Sequence, residues 1–355
     1  MAAPGQAFGL YSHMRNNRIR SGALLAGLFL LAYLATFGMI LVGFGFADTG
    51  RGADLFTQAW SALWSWFPVV TAAAALWIFI GFRFNVAMIG AVTGAKGVSQ
   101  AEAPKLYRML ETLCISRGLP MPKLVIVESE ALNAFASGVT DKQFTVSVTR
   151  GLIDNLDDAE IEAVLAHELT HIRNGDVRLM VIAVVIAGVV SFVGELMFRG
   201  TARGNIRLSG GGGGNRKGNG AAILIGLAII ALAWFLAVIV RLSLSRSREY
   251  LADAGAVELT KNPDAMISAL LKISGRADLD GVPSGVMDMC FENDPDDMGD
   301  LFATHPSITK RVQALVEMAG GRMPDMPPHP PKVGERQELP RIVEERGPWG
   351  PRPAG

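Results

Sequence analysis

Cysteine is nearly missing from this 355-residue chain: Cys114 and Cys290 are the only two. They cannot form a disulfide framework for a chain of this length, and neither has neighbours at metal-ligand spacing. Both are expected as free thiols in a reducing compartment. Histidine is scarce as well, with five residues, so two of them at ligand spacing carry weight. Neither charge sign is in excess: 33 Lys and Arg balance 33 Asp and Glu. That balance gives no electrostatic footprint for nucleic acid. No serine or cysteine is placed with a base as a nucleophile, so a covalent acyl-enzyme is not expected.

Apolar residues are what the chain has in plenty. They make up 50% of it, and the mean hydropathy is +0.31, high for a soluble protein of this size. Four long runs stand out: Ala23 to Phe46, Leu63 to Phe82, Leu179 to Phe198 and Ala221 to Val240. Each approaches or exceeds the ~20 residues that cross a hydrocarbon core as a helix. The first is too long for a signal peptide and lacks a small-residue cleavage site, so it reads as a signal anchor. Pro68 interrupts the second, and Trp64, Trp66 and Trp77 suit membrane interfaces.

Arg15, Arg18 and Arg20 precede the first run, whereas the loop after it carries only Arg51, which places the N-terminus in the cytoplasm. Four crossings then return residues 83–176, and everything after Arg241, to that side. The third loop resists this count with Arg199, Arg203, Arg207, Arg216 and Lys217, so the second hairpin could also lie partly in the membrane without crossing. The glycine run Gly210 to Gly214 makes that loop flexible on either side. Glu195, in the third run near Arg199, is expected at the headgroup level.

The most specific motif is His167-Glu168-Leu169-Thr170-His171. Residues four apart share a helix face, so both imidazoles can grip one metal ion, and Glu168 can act as general base in metal-assisted hydrolysis. Asp157 and Glu160 form a capping box upstream. Ile161, Val164, Leu165, Leu169 and Ile172 make a core-facing stripe, and Asn174-Gly175 ends the helix. A catalytic zinc usually takes a third protein ligand. The best candidate is Glu249 in Ser247-Arg248-Glu249-Tyr250-Leu251-Ala252-Asp253, with Asp253 on the same face to orient a ligand histidine.

Four segments together resemble the HtpX-type membrane zinc metalloproteases, of the clan that includes the CaaX prenyl proteases. They are His167 to Asp176; Ser247 to Tyr250 with Ala252-Asp253; Asn133-Ala134-Phe135-Ala136-Ser137-Gly138; and Thr304-His305-Pro306 followed by Arg311. They occur in the family's order, and the likeness runs from about Arg18 to Met318. The resemblance implies one Zn2+ per chain on His167, His171 and Glu249, with Glu168 as catalytic base and Asp253 as orienter. It implies that His305 steadies the developing oxyanion, although a histidine before proline also serves as a surface cap. Arg311 is expected to hold its helix in place. The stretch Asn133, Ala134, Phe135, Ala136 is implied as a sheet edge that binds the substrate backbone.

The expected fold is α+β and predominantly helical. It has four transmembrane helices and a cytoplasmic gluzincin-like zinc protease domain with a small β-sheet. The expected divisions are an N-terminal segment (1–22), a first hairpin (23–82), a first protease half (83–176), a second hairpin (177–242), a second protease half (243–319) and a disordered Pro/Arg-rich tail (320–355). His329 in that tail is not a convincing ligand. An amphipathic helix is expected over Ala101 to Arg117, and strands over Lys123 to Val127, Asn133 to Ser137 and Phe144 to Val148. Helices follow over Asp264 to Ser274 and Ser307 to Met318, with a loop or lid over Asp278 to Asp300. The expected function is endoproteolysis of misfolded or exposed membrane-protein segments, in quality control at a bacterial inner membrane. Expected partners are the bilayer and unfolded polypeptides, with oligomeric state open. Two other classes stay open: a processing enzyme that trims prenylated C-termini, and a non-enzymatic zinc-binding membrane protein.

Overall fold

A computed structural model describes residues 10–47, 52–186, 188, 217–242, 247–279, 281–282, 284–292 and 305–323. Two long helices open the chain, α1 (Leu10–Ala47) and α2 (Gly52–Thr93). Over Ile19–Phe46 and Asp54–Thr93 they are long and apolar enough to cross a membrane. Contrary to the sequence reading, Pro68 does not interrupt the second run: α2 passes straight through it. Among the described residues these are the two helices that meet that length and composition. The third apolar run is described as helix only over residues 176–186, here α6, with 188 beyond it. The fourth lies in α7 (Lys217–Leu242), whose apolar stretch Gly220–Leu236 is shorter. Glu195, the glycine loop, residues 293–304 with the end of the expected lid, and the tail from residue 324 with His329 lie outside the described residues.

Small residues let these helices approach closely. Where α1 crosses α7, a side chain on Gly226 would meet the Gly38 carbonyl oxygen at 2.7 Å. Leu24, Leu28 and Leu31 of α1 pack on Leu179, Ile182, Ala183 and Ile186 of α6. Trp77 of α2 donates its indole N–H to the Val185 carbonyl (3.0 Å). α6 is therefore held between both long helices.

A four-stranded sheet, ordered β1-β2-β4-β3, sits beside the helices. β2 (Lys123–Val127) runs parallel to β4 (Thr145–Thr149); β1 (Lys96–Gly97) and β3 (Ala134–Ser137) flank them antiparallel. Three strands fall within a residue of expectation; the two-residue β1 has no sequence signal of its own. α3 (Pro104–Arg117) starts at a proline, three residues later than the apolar pattern suggests, and buries Leu106, Leu110, Leu113 and Cys114. After α4 (Arg150–Asn155) come the histidine helix α5 (Asp158–Asn174) and the acidic helix α8 (Ser247–Thr260). α9 (Pro263–Ile273), α10 (Ser284–Met287) and α11 (Ile308–Ala319) complete the order. One core joins the sheet, α3, α5, α8, α9 and α11. Part of the expected lid belongs to that core, because Val286, Met287, Met289, Cys290 and Phe291 are buried.

Candidate metal centre

The start of α5 is fixed by its capping box. Asp157 accepts from the Glu160 N–H (2.9 Å), and the Glu160 carboxylate accepts from the Asp157 N–H (2.8 Å). Glu160 also receives Ser268 (2.6 Å) and Lys272 (2.7 Å) of α9, which ties the two helices together. Ile161, Val164, Leu165, Leu169 and Ile172 are all buried. Gly175 ends the helix at φ 75°, the left-handed conformation that glycine adopts without strain.

α8 crosses α5 with almost no space between them. A methyl on Gly255 would lie 2.5 Å from Cγ2 of Thr170. This close crossing carries Glu249 to the two histidines. His167 Nε2 and His171 Nε2 are 3.0 Å apart, and Glu249 Oε2 is 3.5 Å and 3.6 Å from them. A tetrahedral zinc with bonds of about 2.0–2.1 Å separates its donors by about 3.3 Å. The three atoms therefore already form one face of such a site. Glu249 Oε2 and Glu168 Oε1 are buried without a hydrogen-bond partner, as expected of groups that meet a cation and a water.

Electrostatics agree with a cation at the centre. Burial alone would push the His171 imidazole down, yet Glu249 and Asp176 raise it to about 10. The cluster draws a positive charge inward, and a metal ion bound there would supply that charge in place of the proton. For Glu168 burial dominates: the carboxyl is raised above its ordinary value, although both histidines oppose the shift.

Each imidazole has a carboxylate behind it. Asp253 Oδ1 lies 3.0 Å from His167 Nδ1, close but off the line of a good hydrogen bond. Arg311 holds that aspartate from the far side, donating from Nε to Oδ2 (2.9 Å) and from Nη2 to Oδ1 (2.6 Å). Its Nη1 reaches the Phe291 carbonyl (3.0 Å). Burial works against the Asp253 anion, but Arg311 and His167 hold its carboxyl below the usual range. Asp176 serves the other ring, with Oδ2 3.0 Å from His171 Nδ1. The sequence reading gave Asp176 no role; it lies five residues beyond His171, past the glycine stop, where helical spacing no longer predicts contact.

His305 is buried, with Nε2 3.7 Å from Glu249 Oε1. Burial, with Arg311 adding to it, pushes its pKa down to about 4 against the pull of Glu249. The Phe291 ring, also missed in the sequence, packs edge-on against His167 with centroids 4.7 Å apart. The Arg311 guanidinium covers that ring at 4.8 Å.

The Asn133–Ala136 stretch lies beside α5, where the Ala136 N–H reaches the Glu168 carboxylate. The Asn133 side chain is fully engaged. Its amide donates to the Ala277 (2.7 Å) and Glu292 (3.0 Å) carbonyls, and its oxygen accepts from the Ala134 and Phe291 N–H groups. Phe291 N–H also donates to Ala134 O (2.8 Å), and Phe135 bridges Cys290. The chain thus covers the first half of this edge itself.

The chain is similar to several known proteins. The family model for peptidase family M48 matches residues 100–319, which hold every residue of the site described above. A protein named Protease HtpX homolog from Bacteroides fragilis is 37% identical over 325 residues, covering 87% of this chain and 99% of that one. A protein of the same name from Listeria monocytogenes is 36% identical over 292 residues, covering 79% of this chain and 95% of the relative. The crystal structure of S. mikatae Ste24p aligns with a TM-score of 0.42 at 19% identity, over 70% of this chain and 58% of that one. On the family match and the two HtpX homolog alignments, the chain belongs to peptidase family M48.

Proposed function

We propose that this protein is a membrane-anchored zinc endopeptidase that binds one Zn2+ per chain and cuts misfolded or exposed segments of membrane proteins. The observation that carries the reading is the buried triangle of His167 Nε2, His171 Nε2 and Glu249 Oε2 beside the unpartnered Glu168 Oε1. When bound, zinc supplies a Lewis acid and lowers the pKa of water at its open position. Glu168 accepts the proton of the attacking water and passes it to the leaving amine. Burial raises its carboxyl above the ordinary value, the direction in which a carboxylate becomes a stronger base. His305 stays neutral and donates an N–H to the carbonyl oxygen as charge develops there. Asp253 and Asp176 keep the ligand rings turned toward the metal. The substrate backbone pairs along the Asn133–Ala136 edge, on the Ala136 side, with Asn133 keeping the edge and residues 290–292 together.

Membrane anchoring rests on α1 and α2 and on what they leave exposed. Trp60, Trp64, Trp66, Leu76 and Phe79 of α2 all face outward, as do Leu224, Trp234 and Phe235 of α7. Apolar surface on that scale needs a partner, and lipid fits it. The basic residues before the first span favour a cytoplasmic protease domain; the reading adds a bacterial inner membrane as its place and quality control as its role.

The test uses wild type and Glu168→Gln, purified metal-free in detergent. Zinc is added to both, and cleavage of an unfolded protein is followed with zinc content. Cleavage by wild type alone, at equal zinc, supports the reading. Zinc binding without cleavage of unfolded protein, but with trimming of a prenylated peptide, would replace it with a dedicated processing enzyme.

A further inference from the structure

We propose that Asn17, on the helix leading into the first apolar span, is a positioning residue of the metal centre that acts on His171 through Asp176. This rests on the zinc reading above. Asn17 is buried, and its amide nitrogen makes two contacts: Asp176 Oδ1 at 2.7 Å and the Asn174 carbonyl at 3.1 Å. Two acceptors on one atom identify it as the nitrogen, since an amide oxygen could satisfy neither. The other oxygen of Asp176 faces His171 Nδ1 at 3.0 Å. The carboxylate is therefore held at both ends, by α1 on one side and by the ligand ring on the other.

That arrangement does three things. It clamps the last turn of α5, where helix carbonyls lack partners within the helix. It helps fix the plane of the Asp176 carboxylate against the ring. With Nδ1–H directed at that carboxylate, Nε2 keeps its lone pair for the metal. Asparagine suits the position because it offers two donors from one compact, neutral atom; serine has one, and lysine would neutralise the aspartate. Leu24, Leu28 and Leu31 lie further along α1 and pack on α6, which begins at Asp176. The first candidate span is thus seated against the same turn that carries the orienting carboxylate, and it forms part of the metal centre's support as well as an anchor.

The experiment compares zinc affinity by chelator competition, and the visible spectrum of the Co2+-loaded protein, in full-length chains in detergent. The variants are Asn17→Ala, Asn17→Ser, Asn17→Asp, Asp176→Ala and the Asn17→Ala/Asp176→Ala pair, with the exposed Ile19→Ala as control. Loss of a group that orients a metal-binding histidine typically costs about 10–100-fold in affinity. Asp176→Ala is expected in that range and Asn17→Asp near it, with Asn17→Ala several-fold weaker than wild type, Asn17→Ser in between, and Ile19→Ala unchanged. The cobalt bands should shift in the Asn17 variants. In the Asp176→Ala background, Asn17→Ala should add nothing, because the two act as one unit. Equal zinc affinity in wild type, Asn17→Ala and Asn17→Ser would overturn the proposal, as would an Asn17→Ala loss of the same factor in both backgrounds. A wild type that takes up no zinc would instead overturn the metal reading itself.

Discussion

Arg311 meets Asp253 fork to fork where neither side chain is open to solvent, with Nη2 2.6 Å from Oδ1 and Nε 2.9 Å from Oδ2. The pair joins the last helix of the protease domain to the helix that delivers Glu249. Arg311→Met leaves Asp253 as an uncompensated buried anion, a change that typically costs about 3–5 kcal/mol. Unfolding of the metal-free protein should show that loss, and a difference below about 1 kcal/mol would mean the pair is not a structural link.

The same pair sets an acid limit. Arg311 holds the Asp253 carboxyl below its unfolded value of about 3.9, so its contribution is complete above roughly pH 4. It is lost as pH falls through the folded value. A wild-type melting curve should therefore drop more steeply than that of Asp253→Asn below about pH 4, while the two run parallel above it. Curves that stay parallel throughout would remove Asp253 from the acid transition.

Glu168→Gln should retain zinc within about twofold and lose about 10²–10⁴-fold in turnover, the usual worth of a positioned general base. Turnover rates with parallel metal analysis decide this. Substantial residual cleavage at full zinc occupancy would assign the base elsewhere.

Glu249→Ala should weaken zinc binding beyond the roughly 100-fold upper range for groups that only orient a ligand. Unchanged metal content after dialysis would point to a different third ligand.

Zinc uptake should release protons. His171 keeps its proton up to about pH 10 in the metal-free cluster, so binding near neutral pH has to displace it. Apparent affinity is expected to rise about tenfold per pH unit between about pH 6 and 8. Titration in two buffers of different ionisation enthalpy measures the release directly, and a pH-independent affinity would contradict it.

Gly255→Val should push α8 off Thr170 and draw Glu249 away from the histidines, at a cost of about 1–3 kcal/mol plus zinc affinity. Thr170→Ala in the same chain should restore part of both. Failure of that rescue would show that the crossing is held by other contacts.

Much of the metal centre was legible in the sequence because its signals are local. The capping box, the apolar stripe, the glycine stop and the i, i+4 histidines all lie within one helix, and Glu249 with Asp253 within another. Asp176, Asn17 and Phe291 were not legible as members. Asp176 follows a left-handed glycine that breaks the spacing rule, Asn17 arrives from a helix 159 positions earlier, and Phe291 comes from a segment that composition reads as a loop. The fold shows the same division. β2 to β4 were found from their apolar pattern, whereas β1 exists only because β2 offers it an edge. Pro68 was misread because a proline rule drawn from aqueous helices does not hold in a long apolar one, where a helix can run through the residue.

The three proposed metal ligands come from two helices with α6 and α7 between them in the chain, and Arg311 comes later still. During synthesis the histidine helix emerges long before Glu249, so the growing polypeptide holds two of the three donors and no complete site. On the proposed function, proteolytic competence is thereby postponed until the apolar segments between the two helices have been made. A ribosome-bound chain halted before Glu249 would carry the complete His-Glu-x-x-His motif without the third proposed ligand.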